Sequence, residues 1–456
     1  MPKTPNTRLR ALLAEAGWNG AQLAAALRHI AAEHGQRLAC DRSMVSRWLS
    51  GTTPRPPVAA LLLEALSRRL GRPVDAVEAG LSRAPSAQPG ALCAAFDLCG
   101  EVRPLRRLFA LTSTDLDPAR RHLLGVGVFS LAALAVPDIR PPRERSTAVP
   151  SSGSPHTQGR VGRAETEQMQ TMARVFDEAA QTHGPTHVRT ALTAYLNHDV
   201  TAYLHAPATD TAHRALLSGA AQLTVLLGTM CAGEGADATA QHYHRTAAQM
   251  AAEADDTATF AIALRTMSAH AHDLGHHTMV VLDLAQRATD ATRKAPPIVR
   301  AYTQVHLAVM QSHHDKHAAL TALGTSERLY EQADDTDAPG PFTHYPAGAL
   351  HYQRAQTLAA LGDKTGATDA LKASLRLRTP AERQAAALTR ARLAETLLTQ
   401  GHLDAALVHW QSFLDDYPLL HSTRTARRLH TMRQLLHPHR RHHDTVRLLA
   451  QAAALR

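Results

Sequence analysis

Residues 41–54 read Asp41-Arg42-Ser43-Met44-Val45-Ser46-Arg47-Trp48-Leu49-Ser50-Gly51-Thr52-Thr53-Pro54. Asp41 suits an N-cap, because its carboxylate accepts from amides that a first helical turn leaves unpaired. Gly51 suits the C-terminal stop, where the backbone turns left-handed. Between them, a step of about 100° per residue puts Val45, Trp48 and Leu49 on one face. The same step turns Ser43, Arg47 and Ser50 away, with Met44 and Ser46 flanking. A short rod with an apolar anchor and a serine–arginine face fits the major groove of duplex DNA. Arg donates two hydrogen bonds to a guanine edge, and Ser hydroxyls reach bases or phosphates. Arg42, in the first turn, reaches the same surface. Thr52, Thr53 and Arg55, just past the rod, are placed for backbone phosphates, as are Lys3 and Arg8.

Outward from this rod, residues 6–80 carry helical periodicity with clear punctuation. Leu9, Leu12, Leu13 and Ala16 repeat at helical spacing up to Gly17, and Leu23, Leu27 and Ile30 mark a second helix ending near Gly35. Pro56-Pro57 open a fourth helix, where a missing amide donor costs least, and Val58, Leu61, Leu62, Ala65 and Leu66 form its stripe. Gly71 and Pro73 close it, and a last short helix is expected over Val74 to Ala79. The run Ser43 to Gly51 followed by Pro54 resembles the helix-turn-helix signature of phage-repressor-like (Cro/C1-type, xenobiotic-response-element) domains. Gln22-Leu23-Ala24 falls where that family has its first motif helix. Two features depart from the pattern: the segment between the motif helices runs long, through His34 to Cys40, and Asn19-Gly20 replaces a Gln that often touches DNA. The resemblance implies base contacts from Arg42, Ser43, Met44, Ser46 and Arg47.

The 456 residues are enough for two or three domains. Hydrophobic residues make up 44% but aromatics only 4%, a composition of packed Ala/Leu helices rather than sheets. The formal charge of +9 is uneven. Residues 1–83 carry +6, 84–164 carry +4, and 165–456 carry −1. A basic head on a neutral bulk is the distribution of a nucleic-acid-binding module attached to a larger body. Cys40, Cys93, Cys99 and Cys231 are too few and too scattered for a disulfide framework, so a reducing, cytoplasmic compartment is expected. The first thirty residues lack the apolar segment of a signal peptide. The longest apolar run, Leu123 to Val136 interrupted by Ser130, has 14 residues, short of the ~20 needed to span a bilayer. It is expected as a helix buried against the body or as part of a linker, and no membrane partner follows.

Residues 84–164 read as a partly helical linker, with a helix start at Asp117-Pro118 and a flexible tether from about 137 to 163. That tether holds Pro137, Pro141-Pro142, Pro150, Ser151-Ser152-Gly153 and Pro155. From 165 to 456 the chain is almost continuously helical. A turn followed by an Ala-containing helix recurs at Gly235, Gly275, His314, Gly362 and Gly401, at intervals of 40, 39, 48 and 39 residues. The long interval contains an Asp/Pro/Gly-rich insertion, Asp334 to Pro346. Helix pairs at a steady period imply an α-solenoid, because each pair covers its apolar face only by stacking on a neighbour. Counted from Gly401, Ala406, Trp410 and Pro418 hold the small, large and terminating positions of a tetratricopeptide (TPR) repeat. HEAT-like pairing is the alternative for a period near 40.

Segments such as Leu223 to Arg245 and Ala263 to His276 resemble actinobacterial regulators that join a Cro/C1-type head to a TPR body. That resemblance implies transcriptional control, linked in several members to sporulation, aerial growth or antibiotic production. The architecture is also similar to peptide-pheromone receptors. It implies a concave face, lined by the first helix of each pair, that binds a peptide or protein partner; here that face would offer Gln222, Arg265, His272, Gln304, Gln311, Tyr352, Gln356 and Glu395.

No phosphate-cradling glycine loop, nucleophile elbow or HExxH motif is present, so no enzyme and no cofactor are expected. Among 29 histidines, His313-His314 with His317, His276-His277, and His437 to His443 form clusters. Zinc needs three or four converging ligands, and these read instead as exposed turns, so no metal is assigned. The sequence thus predicts an all-α chain of helix-turn-helix head (1–83), linker (84–164) and TPR-like solenoid (165–456). Its expected function is sequence-specific binding of double-stranded DNA as a transcriptional regulator, as a homodimer since one short helix reads too few base pairs alone, with a body that binds a peptide, protein or small ligand. The alternative is a TPR scaffold that titrates a protein partner without touching DNA.

Overall fold

Several helices start at side-chain caps, and several end at left-handed glycines. The computed structural model describes residues 5–33, 38–54, 58–70, 72, 74, 78–81, 104–117, 121, 124, 129–134, 161–333 and 345–455. Among these the chain is all-α, without a strand. In the head, α1 (Thr7–Glu15) is capped by Asn6, whose Oδ1 accepts from the Leu9 amide at 2.9 Å. It is followed by α2 (Gly20–Glu33), α3 (Arg42–Leu49) and α4 (Val58–Leu70). Leu9, Leu23, Leu27, Val45, Trp48, Leu61, Leu62 and Leu66 form a separate apolar core, as the helical stripes require. Asn6 also ties the head shut: its amide nitrogen donates to the Ala79 carbonyl at 2.9 Å and its backbone N–H to the Leu49 carbonyl at 3.0 Å. Where a helix over Val74 to Ala79 is expected, Val74 is coil and 78–80 form a turn, while 75–77 lie outside the described residues.

The body is a stack of antiparallel helix pairs: α8 (Asp210–Gly233) with α9 (Asp237–Glu253), α10 (Thr257–Asp273) with α11 (Met279–Ala291), α12 (Pro297–Gln311) with α13 (Lys316–Glu331), α14 (Ala347–Ala360) with α15 (Lys364–Leu377), and α16 (Arg383–Thr399) with α17 (Leu403–Asp416). The turns inside these pairs are those at Gly235, Gly275, His314, Gly362 and Gly401. All four glycines have positive φ, between 78° and 86°. Around Gly275 and Gly362 there is open space, so it is the left-handed backbone alone that requires glycine there. α8 is long and apolar enough to cross a membrane, but 72% of its most apolar window is buried, so that apolarity is used in packing against α9.

Before the stack come α5 (Pro104–Leu116), α6 (Arg163–His183) and α7 (Thr186–Tyr195), the last continuing through a π turn, Leu196–Val200, into Thr201–His205. After it come α18 (Thr423–Leu436) and α19 (His443–Ala454). α5 lies within the stretch read as linker, yet it is built into the body. Leu108 and Leu111 join the main core, and Asp115 accepts from Arg189 at 2.5 Å and from the Tyr243 hydroxyl at 3.1 Å. The tether read at 137–163 lies outside the described residues up to 160, and α6 already begins at Arg163.

The array curls until its ends meet. The His421 amide donates to the His183 carbonyl at 3.2 Å, and the Thr186 hydroxyl donates to the His421 carbonyl at 3.0 Å. The Thr423 hydroxyl donates to the Glu234 carbonyl at 2.8 Å, and Arg424 reaches Asp273 at 2.8 Å. The start of α18 therefore closes over α6, α8 and α10, turning an open solenoid into a ring.

The described part of the apolar run 123–136 is a strut between head and body. Leu124, Phe129, Leu131 and Leu134 are buried, and Ala132–Leu134 form a single 3₁₀ turn instead of an α-helix. Gln241 of α9 clamps Ser130 from both sides, accepting from its N–H at 2.9 Å and donating to its carbonyl at 2.6 Å. Phe129 stacks on His276 and meets His270 edge-on. On the head side, the Leu131 N–H donates to Oε2 of Glu64 in α4 at 2.7 Å.

Candidate functional site

Two regions bring together the polar side chains singled out in the sequence. The first is α3. Asp41 caps it, accepting from the Met44 amide at 2.8 Å and from the Ser43 hydroxyl at 2.7 Å. The Met44 amide holds the Asp41 carboxyl below the usual range, so the cap is ionised at neutral pH. Val45 and Trp48 are buried in the head core, and Leu49 and Met44 pack at its margin. Arg42, Ser43, Ser46 and Arg47 are exposed, on the face opposite the anchor. Ser50 donates to the Arg47 carbonyl at 2.9 Å and finishes the helix. Thr53 and Arg8 are exposed and Thr52 is half-buried, its amide donating to the Arg47 carbonyl at 3.0 Å. Lys3 and Arg55 lie outside the described residues.

The second region is the inside of the ring. An 890 Å³ cavity is bounded by α6, α8, α10, α12 and α13, by the entry to α14 and by the loop after α15. Gln222, Arg265 and Tyr302, from the first helices of three successive pairs, reach into it. Tyr345 packs edge-on against Tyr302 and Tyr330, at centroid distances of 5.0 and 6.1 Å. Arg265 lies over the Tyr302 ring with its guanidinium carbon 4.1 Å from the centroid. It is 9% exposed, and its Nε has no hydrogen-bond partner among the described residues; the Tyr345 hydroxyl is likewise buried and unpaired. Burial pushes that hydroxyl's pKa above the usual tyrosine range, so it stays a neutral donor. Unpaired donors beside aromatic walls can pair with an anionic or carbonyl group that enters the chamber.

The other residues predicted for the concave face do not all share this chamber. His272, Tyr352 and Gln356 line a separate 480 Å³ cleft beside it, under α18. Gln304 and Gln311 are half-buried on α12 and line neither. Glu395 is buried and pairs with Arg428 at 3.0 Å. The chamber residues that sequence reading missed, Tyr330, Tyr345 and Arg378, come from α13 and two loops, and the packing of neighbouring helix pairs brings them together.

The cleft carries one more convergence. His272 ends α10, His277 follows in the α10–α11 turn, and His313 sits in the α12–α13 turn. Each offers a ring nitrogen within 4.8 Å of the other two. The His277 and His313 rings stack at 3.8 Å. Burial and the neighbouring imidazoles push His313 down to about 4 and lower His277, so both rings are neutral at pH 7.

Among known families, residues 9–82 match the model described as the SP15 N-terminal domain, a stretch that covers α1 to α4. No curated protein matches the chain significantly.

Proposed function

We propose that the chain is a sequence-specific, DNA-binding transcriptional regulator whose body receives a ligand. The observation that carries this reading is the two-sidedness of α3: Val45 and Trp48 are locked in the core, while Arg42, Ser43, Ser46 and Arg47 stay exposed beside a body that leaves them uncovered. The +6 charge of residues 1–83 supplies the phosphate attraction that any duplex binder needs. Homodimerisation supplies the second half-site. We assign the helix pairs to the TPR-like type, supported by Ala406 and Trp410, which are fully buried at the small and large positions of the α16–α17 pair. In this reading the chamber takes a peptide or small molecule bearing a carboxylate, which Arg265 and the Tyr345 hydroxyl bind.

The test is selection of duplexes from a random library by the full-length chain, followed by binding titrations over a range of salt. A recovered consensus, with affinity falling steeply with salt, supports the reading. Absence of any sequence preference at low salt overturns it, in favour of a scaffold that acts by titrating a protein partner.

A further inference from the structure

We infer that His272, His277 and His313 form a mononuclear site for a divalent transition ion of the zinc type, with its fourth position open to the cleft. The argument is geometric. Two nitrogens bound tetrahedrally to one zinc at about 2.0–2.1 Å lie about 3.3–3.4 Å apart. His272 Nε2 and His313 Nε2 are separated by 3.3 Å. The third nitrogen lies within 4.8 Å of both, so a side-chain movement of at most about 1.5 Å completes the tripod. His277 has the freedom for it, since its buried Nδ1 has no hydrogen-bond partner among the described residues.

The surroundings fit a ligand set. Asp273 Oδ1 lies 3.9 Å from His272 Nδ1, the nitrogen not turned toward His313, so a small side-chain movement brings it to the hydrogen bond by which a carboxylate orients a metal-bound histidine. Four arginines also line the cleft, but each faces a carboxylate: Arg424 pairs with Asp273, Arg427 with Asp237, and Arg392 and Arg428 with Glu395. Their field is thereby reduced, and they leave the fourth position suited to water or an anionic group. Imidazole-only donors select zinc, copper or nickel over magnesium or calcium. Because the three ligands come from two successive helix pairs, the ion would pin those pairs together.

The test uses the full-length chain, stripped with a chelator and titrated with Co²⁺. The expected result is one equivalent bound per chain with the visible absorption of a four-coordinate ion, displaced by Zn²⁺. His313→Ala, at an exposed turn position, and His277→Ala are each expected to weaken binding at least about ten-fold while circular dichroism stays unchanged. The control is the double variant His437→Ala/His439→Ala, which removes two histidines from the C-terminal cluster and should bind as the parent does. Six-coordinate binding only, or affinity unchanged by His313→Ala and His277→Ala, overturns the site. So does a loss of affinity shared equally by the control variant.

Discussion

The backbone N–H of Leu131 donates to Oε2 of Glu64 at 2.7 Å, and this bond joins the strut of the body to α4 of the head. Glu64 is fully buried, and its other oxygen accepts from Arg68 Nε at 2.6 Å. Removing the carboxylate takes away the acceptor of the buried Leu131 amide and one of the contacts of Arg68. Glu64→Leu is therefore expected to destabilise the head by about 1–3 kcal/mol, whereas Glu64→Gln keeps an acceptor and costs less. Amide hydrogen exchange at Leu131 checks this: protection should fall in Glu64→Leu and be largely kept in Glu64→Gln.

Arg47 and Trp48 are adjacent in sequence but face opposite ways, so their substitutions should separate recognition from folding. Arg47→Ala removes an exposed side chain and should leave the melting temperature of the chain nearly unchanged. It is expected to weaken binding to a selected duplex by about 1–3 kcal/mol, and to random duplex by less. Trp48→Ala empties a buried site and should cost about 3–5 kcal/mol of head stability. Equal loss on both duplexes for Arg47→Ala would make that residue a phosphate contact.

Much of this was legible in the sequence because it is local. The Asp41 cap, the Val45/Trp48 anchor and the turns at Gly235, Gly275, Gly362 and Gly401 depend on residues within one or two helical turns of each other, where periodicity and left-handed glycine decide the outcome. The chamber and the histidine trio were not legible as units. Tyr302, Tyr330 and Tyr345 stand on different elements, and their edge-on contacts are set by tertiary packing that no local pattern announces. His277 and His313 were visible as separate clusters, and His272 as a residue of the concave face; their meeting depends on the offset between successive pairs. The strut was visible only as an apolar run, since one Gln241 clamp and one Glu64 acceptor, far away in sequence, fix its path.

Arg265 is a buried cation with an unpaired Nε, held over Tyr302. If its role is to meet a ligand, the unliganded fold gains little from its charge beyond the contact with the Tyr302 ring. Arg265→Met keeps much of the packing volume and removes the desolvated group, so it is expected to leave thermal stability unchanged or raise it by about 1 kcal/mol or more. Thermal melts of parent and variant decide this, and a large loss of stability would mean that the guanidinium is structural.

His244 and His306 are almost fully buried, and burial pushes His244 down to about 3 and His306 well below its ordinary value. Both are neutral in the folded chain, whereas in the unfolded chain they take up protons near pH ~6.5. The unfolded state therefore gains protons first as pH falls. Stability is complete above about pH 6.5 and is lost progressively below it, by up to ~1.4 kcal/mol per pH unit for each such histidine. Melting temperatures measured from pH 7.5 to pH 5 should drop, and His244→Gln should flatten that slope. A melting temperature independent of pH over this range would contradict the buried, neutral state.

Gly184 and Gly362 both have positive φ, 91° and 85°, but they differ in what surrounds them. A Cβ on Gly362 meets nothing within 4 Å among the described residues, so Gly362→Ala should cost only the left-handed backbone, about 1–2 kcal/mol. A Cβ on Gly184 would stand 2.6 Å from the His421 carbonyl oxygen and 2.9 Å from its nitrogen. Those are the two groups that His183 and Thr186 bind to close the ring, so the methyl group must push α18 away from α6. Gly184→Ala is accordingly expected to cost more than Gly362→Ala, to expose the His421 amide to hydrogen exchange, and to enlarge the radius of gyration in solution scattering. Equal costs, with the His421 amide still protected, would mean that the array closes without help from this contact.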